Sequence, residues 1–131
     1  MSDGGAVPEG FSVCVVTDDV AIAAVLGCTL AATGLRHLTA SAGSPDAILA
    51  AAPLLLILDD DCMAESGSAD LVEQLRAEGY HQPVILCVSA HPDPVMARRL
   101  AVTGVVELRK PLETLVLMER VRATLAGAAK A

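Results

Sequence analysis

Four apolar runs in this 131-residue chain each lead to a side chain that suits phosphoryl chemistry. In chain order, these side chains belong to Asp18, Asp59, Ser89 and Lys110. A carboxylate can act as a nucleophile toward a phosphoryl donor, and an ammonium and a hydroxyl can stabilise the charge on the phosphoryl oxygens. The sequence therefore predicts a phosphoryl-transfer site in which Ser89 and Lys110 assist a carboxylate.

The acidic residues also predict a binding site for Mg²⁺. A carboxylate nucleophile repels the oxygens of an incoming phosphate, and a divalent cation held by hard oxygen ligands removes that obstacle. Asp18 and Asp59 supply the minimum ligand set, and Asp61 is a further candidate ligand. Taken alone, Asp18 and Asp19 could equally cap a helix. Three consecutive acids at 59–61 nevertheless favour a cation, because like charges at close range strain a fold.

The apolar runs themselves predict the strands of a parallel sheet. Runs of β-branched and aliphatic residues of this length are typical of strands that are covered on both faces. The predicted strands cover residues 13–16, 35–41, 54–58, 84–88 and 105–108, of which the second is the weakest. Since parallel α/β sheets bind ligands beyond the carboxyl ends of their strands, the candidate side chains should meet at one edge.

Helical segments alternate with these strands and predict a single three-layer αβα domain. Apolar residues recur at three- and four-residue spacing between caps and glycine or proline stops. The predicted helices lie at about 20–33, 45–52, 66–78, 94–103 and 112–125, with Ser44 as the cap of the second. Right-handed crossovers place such helices on both faces of the sheet. We expect a domain at 11–126, a disordered extension at 1–10 and a flexible tail at 127–131.

Composition and charge exclude several other classes of protein. A net charge of -7 disfavours nucleic acid as a partner, because binding phosphates requires clustered Lys and Arg. No run without a charge is long enough to cross a bilayer, since the longest, 20–35, has 16 residues and the run at 47–58 contains Pro53. Residues 1–10 lack the pattern of a secretory signal, so we expect a cytoplasmic location. The four cysteines lack the spacing of a zinc site or a redox motif, so we expect reduced and mostly buried thiols, of which only Cys62 is a candidate for reactivity.

The order of these motifs resembles the receiver domain of bacterial two-component response regulators. The resemblance covers roughly residues 11–125, and in it Asp59 matches the phosphoacceptor, Ser89 the hydroxyl and Lys110-Pro111 the last motif. It implies a flavodoxin-like (βα)5 fold with strand order 2-1-3-4-5 and Mg²⁺ as cofactor. It further implies a histidine kinase or phosphotransfer protein as phosphodonor and a downstream protein as target. Whether the chain itself catalyses gain and loss of the phosphoryl group stays open.

The sequence departs from the receiver pattern at several positions. A register without gaps places Thr17 at the first of two acidic positions and Asp18 at the second. Met63 replaces the usual proline after the acceptor, and Glu107 replaces the aromatic residue that moves with the hydroxyl in most receivers. These departures support a second interpretation, in which the chain is an atypical receiver that binds proteins without being phosphorylated.

Two further predictions concern alternative ligands and partners. A flavodoxin-like cofactor binder is a distant third interpretation, because no glycine-rich phosphate loop follows the first strand and no aromatic residue is placed to stack on a flavin. The last helix carries consecutive apolar residues from Leu115 to Met118, which we expect mainly in the core. Their excess over one apolar stripe makes the last helix a candidate homodimer surface.

Overall fold

The computed structural model describes residues 13–40, 45–63, 67–90 and 93–130, with the side chains of 128–130 excluded. The predicted cap Ser44 and the predicted extension at 1–10 lie outside these ranges. The elements are β1 (Val13–Val16), α1 (Val20–Ala32), β2 (His37–Ala40), α2 (Pro45–Ala51), β3 (Leu55–Asp59), a 3-10 turn (Asp60–Cys62), α3 (Gly67–Ala77), β4 (Val84–Val88), α4 (Pro94–Thr103), β5 (Val105–Arg109) and α5 (Thr114–Lys130). The predicted alternation of strands and helices is confirmed.

All strand pairs of the sheet are parallel, in the order β2-β1-β3-β4-β5. This order is the one that the receiver resemblance implies. The register pairs Asp59 with Cys87 and Val88 with Arg109, so neighbouring strands end at nearly the same level. The residues that follow the strands therefore share one edge of the sheet.

Two apolar layers hold the sheet between its helices. Strand side chains alternate between the faces: Leu56 and Leu58 belong to one cluster, and Leu55 and Ile57 belong to the other. The first cluster includes buried residues of α2, α3 and α4, while the second includes buried residues of α1 and α5. Strands β1, β3 and β4 are buried along their whole length, which explains their uninterrupted apolar sequences.

Polar residues and glycine set the ends of the helices that flank the site. The Asp19 carboxylate caps α1 by accepting hydrogen bonds from the amides of Ala21 and Ile22. Asp93 caps α4 in the same way, and Gly104 ends that helix with a left-handed φ of 79°. The glycine stop that the sequence predicts before β5 is thus confirmed.

Helix α5 differs from the prediction at both ends and in its exposed face. It begins at Thr114 and continues to Lys130, through a tail predicted to be flexible, because residues 126–129 are mostly alanine, a strong helix former. The helical period turns Leu117 to the core but leaves Leu115 85% exposed and Val116 52% exposed. The prediction that these two residues belong to the core is therefore wrong. No helix in the described part of the chain is long and apolar enough to cross a membrane.

Candidate functional site

Asp59 is the last residue of β3 and forms the centre of the site. Its side chain is buried, and each carboxylate oxygen accepts two hydrogen bonds. Oδ1 accepts from Lys110 Nζ at 2.7 Å and from the Asp61 amide at 3.3 Å. Oδ2 accepts from Thr17 Oγ1 at 2.7 Å and from Cys62 Sγ at 3.1 Å. The buried carboxylate is thus surrounded by donors from three parts of the chain.

Lys110 follows β5 and connects two carboxylates. Its ammonium donates to Asp59 Oδ1 at 2.7 Å and to Asp61 Oδ2 at 2.6 Å. The backbone amide of Lys110 donates to the Val88 carbonyl at 2.7 Å, which fixes the residue against the end of β4. With a side chain only 17% exposed, Lys110 is a positioned cation rather than a mobile surface lysine.

Ser89 reaches the same group of side chains through Asp61. Its hydroxyl donates to Asp61 Oδ2 at 2.6 Å, the oxygen that also accepts from Lys110. Ser89 does not cap the following helix, because Asp93 is the N-cap of α4. The structure therefore brings together Asp59, Ser89 and Lys110 as the sequence predicts, with the Asp61 carboxylate between the hydroxyl and the ammonium.

The end of β1 supplies a hydroxyl where the receiver pattern has its first acid. Thr17 is buried and donates to Asp59, while its hydroxyl also accepts from the Asp19 amide at 3.0 Å. Asp18 lies at the same edge, where its amide donates to Cys62 Sγ at 3.3 Å and its side chain is exposed. The Asp19 carboxylate caps α1 and therefore does not replace the acid that is missing at position 17.

The carboxylates at this edge are suitable ligands for a cation, but those in the described part of the chain are not grouped around one point. Asp59 and Asp61 offer the hard carboxylate oxygens that Mg²⁺ prefers, and one or two carboxylates with phosphate and water suffice for that ion. Among the described residues, no three or more His, Cys, Asp or Glu side chains are grouped to hold a metal. Lys110 instead provides the positive charge between Asp59 and Asp61.

The hydrogen bonds decide the charge states of the three groups. Burial acts to raise the pKa of Asp59, but hydrogen bonds from Lys110, Thr17 and Cys62 outweigh it and lower that pKa. Hydrogen bonds from Lys110 and Ser89 lower the pKa of Asp61 as well. Although burial opposes it, the two carboxylates raise the pKa of Lys110. At neutral pH the site therefore contains two carboxylates and one ammonium.

The four cysteines differ in how far their side chains are buried. Burial raises the pKa of Cys14 to about 11 and that of Cys87 to about 12, so both thiols stay protonated and unreactive at neutral pH. Cys28 is exposed on α1, contrary to the prediction of mostly buried thiols. The contact of Cys62 with Asp59 has no signal in the sequence beyond its place next to the acidic run.

Structural comparison identifies the fold of this chain among proteins of known structure. The receiver domain of nitrogen regulatory protein C is 27% identical, covers 89% of this chain and 95% of its own, and superposes with a TM-score of 0.74. A response regulator receiver domain protein from Methanospirillum hungatei JF-1 is 18% identical, with a TM-score of 0.75 and coverage of 90% and 95%. Chemotaxis protein CheY4 of Vibrio cholerae is 20% identical, with a TM-score of 0.73 and coverage of 86% and 96%.

These neighbours confirm the resemblance that the sequence motifs predict. The chain has the fold of response regulator receiver domains over most of its length. No family model matches the sequence, and no curated protein matches it either. The resemblance is therefore carried by the fold and by the order of the motifs at the strand ends, and it supports a receiver role.

Replacing Lys110 with Met should raise the pKa of Asp59, because burial remains while the main opposing donor is lost. In the wild type, a carboxyl whose pKa falls on folding adds stability above its ordinary pKa of about 4 and loses it as the pH drops through the lower, folded-state pKa. In Lys110→Met this contribution should become smaller, because the pKa of Asp59 in the folded state rises. Carboxyl ¹³C NMR titration measures the pKa, and urea unfolding at several pH values measures the stability.

Lys130→Met is the matched control, because Lys130 is the other lysine of the chain and lies at the end of α5. It removes the same formal charge and should leave the pKa of Asp59 at its wild-type value. An unchanged Asp59 pKa in Lys110→Met would contradict the assigned ion pair.

Proposed function

We propose that this chain is a cytoplasmic receiver domain that accepts a phosphoryl group on Asp59. A histidine kinase or phosphotransfer protein would donate the group, and a downstream protein would read the result. The observation that supports this proposal best is the environment of Asp59: a buried carboxylate at a strand end, kept charged by Lys110 and joined to Ser89 through Asp61. A charged, oriented carboxylate is what nucleophilic attack on phosphorus requires.

The proposed transfer is a displacement at phosphorus. One Asp59 oxygen forms a bond to phosphorus as the bond from phosphorus to the donor's histidine nitrogen breaks, and the electron pair of that bond stays with the nitrogen. The product is an acyl phosphate, and the free histidine takes up a proton from solvent. Lys110 Nζ and Ser89 Oγ would then donate to the phosphoryl oxygens and offset their charge.

Mg²⁺ fits the proposal as a bound cation. Asp18 and Asp59 are the residues that would hold it, because Ser89 and Lys110 already engage the third predicted ligand, Asp61. When bound, the cation would neutralise charge on the transferred group. Asp59 supplies carboxylate oxygens at the site itself, whereas Asp18 supplies an exposed carboxylate at the same edge. With Thr17 in place of an acid, we expect weaker Mg²⁺ binding than two adjacent acids would give.

A phosphorylation-independent binding module is the second candidate function. It is favoured by the hydrogen bonding of Asp59, whose oxygens both already accept from two donors each. In that function the cluster of Thr17, Asp59, Asp61 and Lys110 would serve only to connect the strand ends. The two candidates differ in one measurable outcome, the formation of a covalent adduct.

Asp59→Asn tests the phosphoacceptor. The wild-type chain, incubated with Mg²⁺ and acetyl phosphate or phosphoramidate, should gain the mass of one phosphoryl group, and the gain should disappear when Mg²⁺ is chelated. Asp59→Asn should gain none, because an amide oxygen is a far weaker nucleophile than a carboxylate. Intact-protein mass spectrometry measures both results.

Asp60→Asn is the matched control for this experiment. The Asp60 carboxylate accepts from Ser68 Oγ at 2.6 Å, and an asparagine oxygen can keep that contact. Asp60→Asn should therefore be phosphorylated like the wild type. If the wild-type chain forms no adduct with either donor, Asp59 is not a phosphoacceptor, and the phosphorylation-independent binding module is the function that stands.

Thr17→Asp should strengthen the binding of Mg²⁺. The Thr17 hydroxyl lies 2.7 Å from Asp59 Oδ2, so a carboxylate at position 17 would stand beside a second one. Without a cation the pair repels and should lower the melting temperature, while Mg²⁺ should restore it. We expect affinity for Mg²⁺ to rise by on the order of tenfold, from one added charge interaction at a partly screened site.

Thr17→Asn, which has the size of Asp without its charge, should show no such gain. Thermal unfolding at increasing Mg²⁺ concentration measures the affinity of each variant. Equal Mg²⁺ affinity in the Asp and Asn variants would place the cation away from the end of β1.

We further propose that the start of α5 forms a homodimer contact. Leu115 is 85% exposed and Val116 is 52% exposed on adjacent positions of this helix. Leu115→Glu should lower the molar mass from dimer to monomer, because it places a charge in the apolar contact. Val102→Glu is the control, since Val102 on α4 is 88% exposed and lies on a different helix. Light scattering measures the mass, and a monomeric wild type would refute the dimer.

A further inference from the structure

The Asp61 carboxylate contacts the two groups that the proposed function reserves for a phosphoryl group. Its Oδ2 accepts from Ser89 Oγ at 2.6 Å and from Lys110 Nζ at 2.6 Å. A hydroxyl and an ammonium that converge on a single anionic oxygen form the same kind of contact that they would form with a phosphoryl oxygen. The sequence prediction groups Asp61 with the metal ligands, whereas its side chain makes the contacts of an anion in an anion-binding pocket.

The surroundings of Asp61 distinguish it from the other two acids of the same run. The Asp59 carboxylate is buried as the proposed nucleophile, and the Asp60 carboxylate accepts from Ser68 instead. Asp61 alone of the three accepts from both Lys110 and Ser89. Its side chain is 42% exposed, so it can turn out to solvent without opening the core.

We infer that Asp61 is a resident anion that occupies the position of a phosphoryl oxygen and competes with an incoming phosphoryl group for Ser89 and Lys110. This inference rests on the proposed function and adds a regulatory element to it. Phosphorylation must displace Asp61 from both donors, and loss of the phosphoryl group lets Asp61 return. The unphosphorylated domain therefore already holds Ser89 toward the site.

The resident anion should weaken the binding of any phosphoryl analogue that needs the same donors. Charge-assisted hydrogen bonds are among the stronger ones in proteins, and the analogue must replace two of them at one oxygen of Asp61. Removing the Asp61 charge weakens these hydrogen bonds and should therefore strengthen the binding of the analogue. Removing the neighbouring Asp60 charge reduces the electrostatic repulsion of the analogue to a similar extent but frees neither Ser89 nor Lys110. Comparing the two variants therefore distinguishes competition for these donors from repulsion between charges.

The test measures the affinity of beryllofluoride at saturating Mg²⁺ for the wild type, Asp61→Asn and Asp60→Asn. Isothermal titration calorimetry gives the dissociation constants, and amide NMR of Ser89 and Lys110 locates the response. We expect Asp61→Asn to bind about tenfold tighter than the wild type or better, and Asp60→Asn to stay within about threefold. Asp61→Ala, which removes the acceptor altogether, should bind at least as tightly as Asp61→Asn.

Each outcome separates this inference from the proposed function. Tighter binding in Asp61→Asn than in Asp60→Asn supports the competition, and binding by Asp61→Asn without any by the wild type supports it most strongly. Equal affinity in the wild type and Asp61→Asn, or equal gains in both variants, overturns the inference and leaves the proposed function standing. Weaker binding in Asp61→Asn also overturns it and indicates a metal-ligand role. Absence of binding in every protein overturns both.

Discussion

The ion pair between Lys110 and two carboxylates is the interaction on which the rest of the site depends. Burial opposes the charge of Asp59, but hydrogen bonds from Lys110, Thr17 and Cys62 outweigh burial and lower the pKa of this carboxyl. The same ammonium holds Asp61 near Ser89 and thereby connects the ends of β3, β4 and β5. Without Lys110, the carboxylates of Asp59 and Asp61 would lie beside a buried strand end with no ammonium between them to offset their charge.

Thr17 fits this balance, although it departs from the receiver pattern. A third acid at the end of β1 would add to a negative charge that the single ammonium of Lys110 already offsets only in part, whereas a hydroxyl donates to Asp59 and adds no charge. The thiol of Cys62 acts in the same direction. Both oxygens of Asp59 and one oxygen of Asp61 therefore already have donors before any cation or phosphoryl group binds, which is the physical basis for considering a resident anion and a phosphorylation-independent function.

Much of the fold and part of the site could be predicted from the sequence, because in a parallel sheet the residues that follow the strands all lie at the same edge. The buried strands β1, β3 and β4 have uninterrupted apolar sequences, and the residues after them must share an edge. The separate directions of Asp59, Asp60 and Asp61 could not be predicted, because they depend on a 3-10 turn that no local pattern marks. The exposure of Leu115 likewise depends on where α5 begins.

Proton exchange at the two lysine ammonium groups tests the central ion pair most directly. The chain has only Lys110 and Lys130, so their ¹⁵N-detected side-chain signals are readily assigned with a Lys130→Met variant. We expect the Lys110 ammonium protons at neutral pH to exchange with water far more slowly than those of a free lysine, because two carboxylates hold them. Exchange at the rate of a free lysine would contradict the ion pair between Lys110 and the two carboxylates.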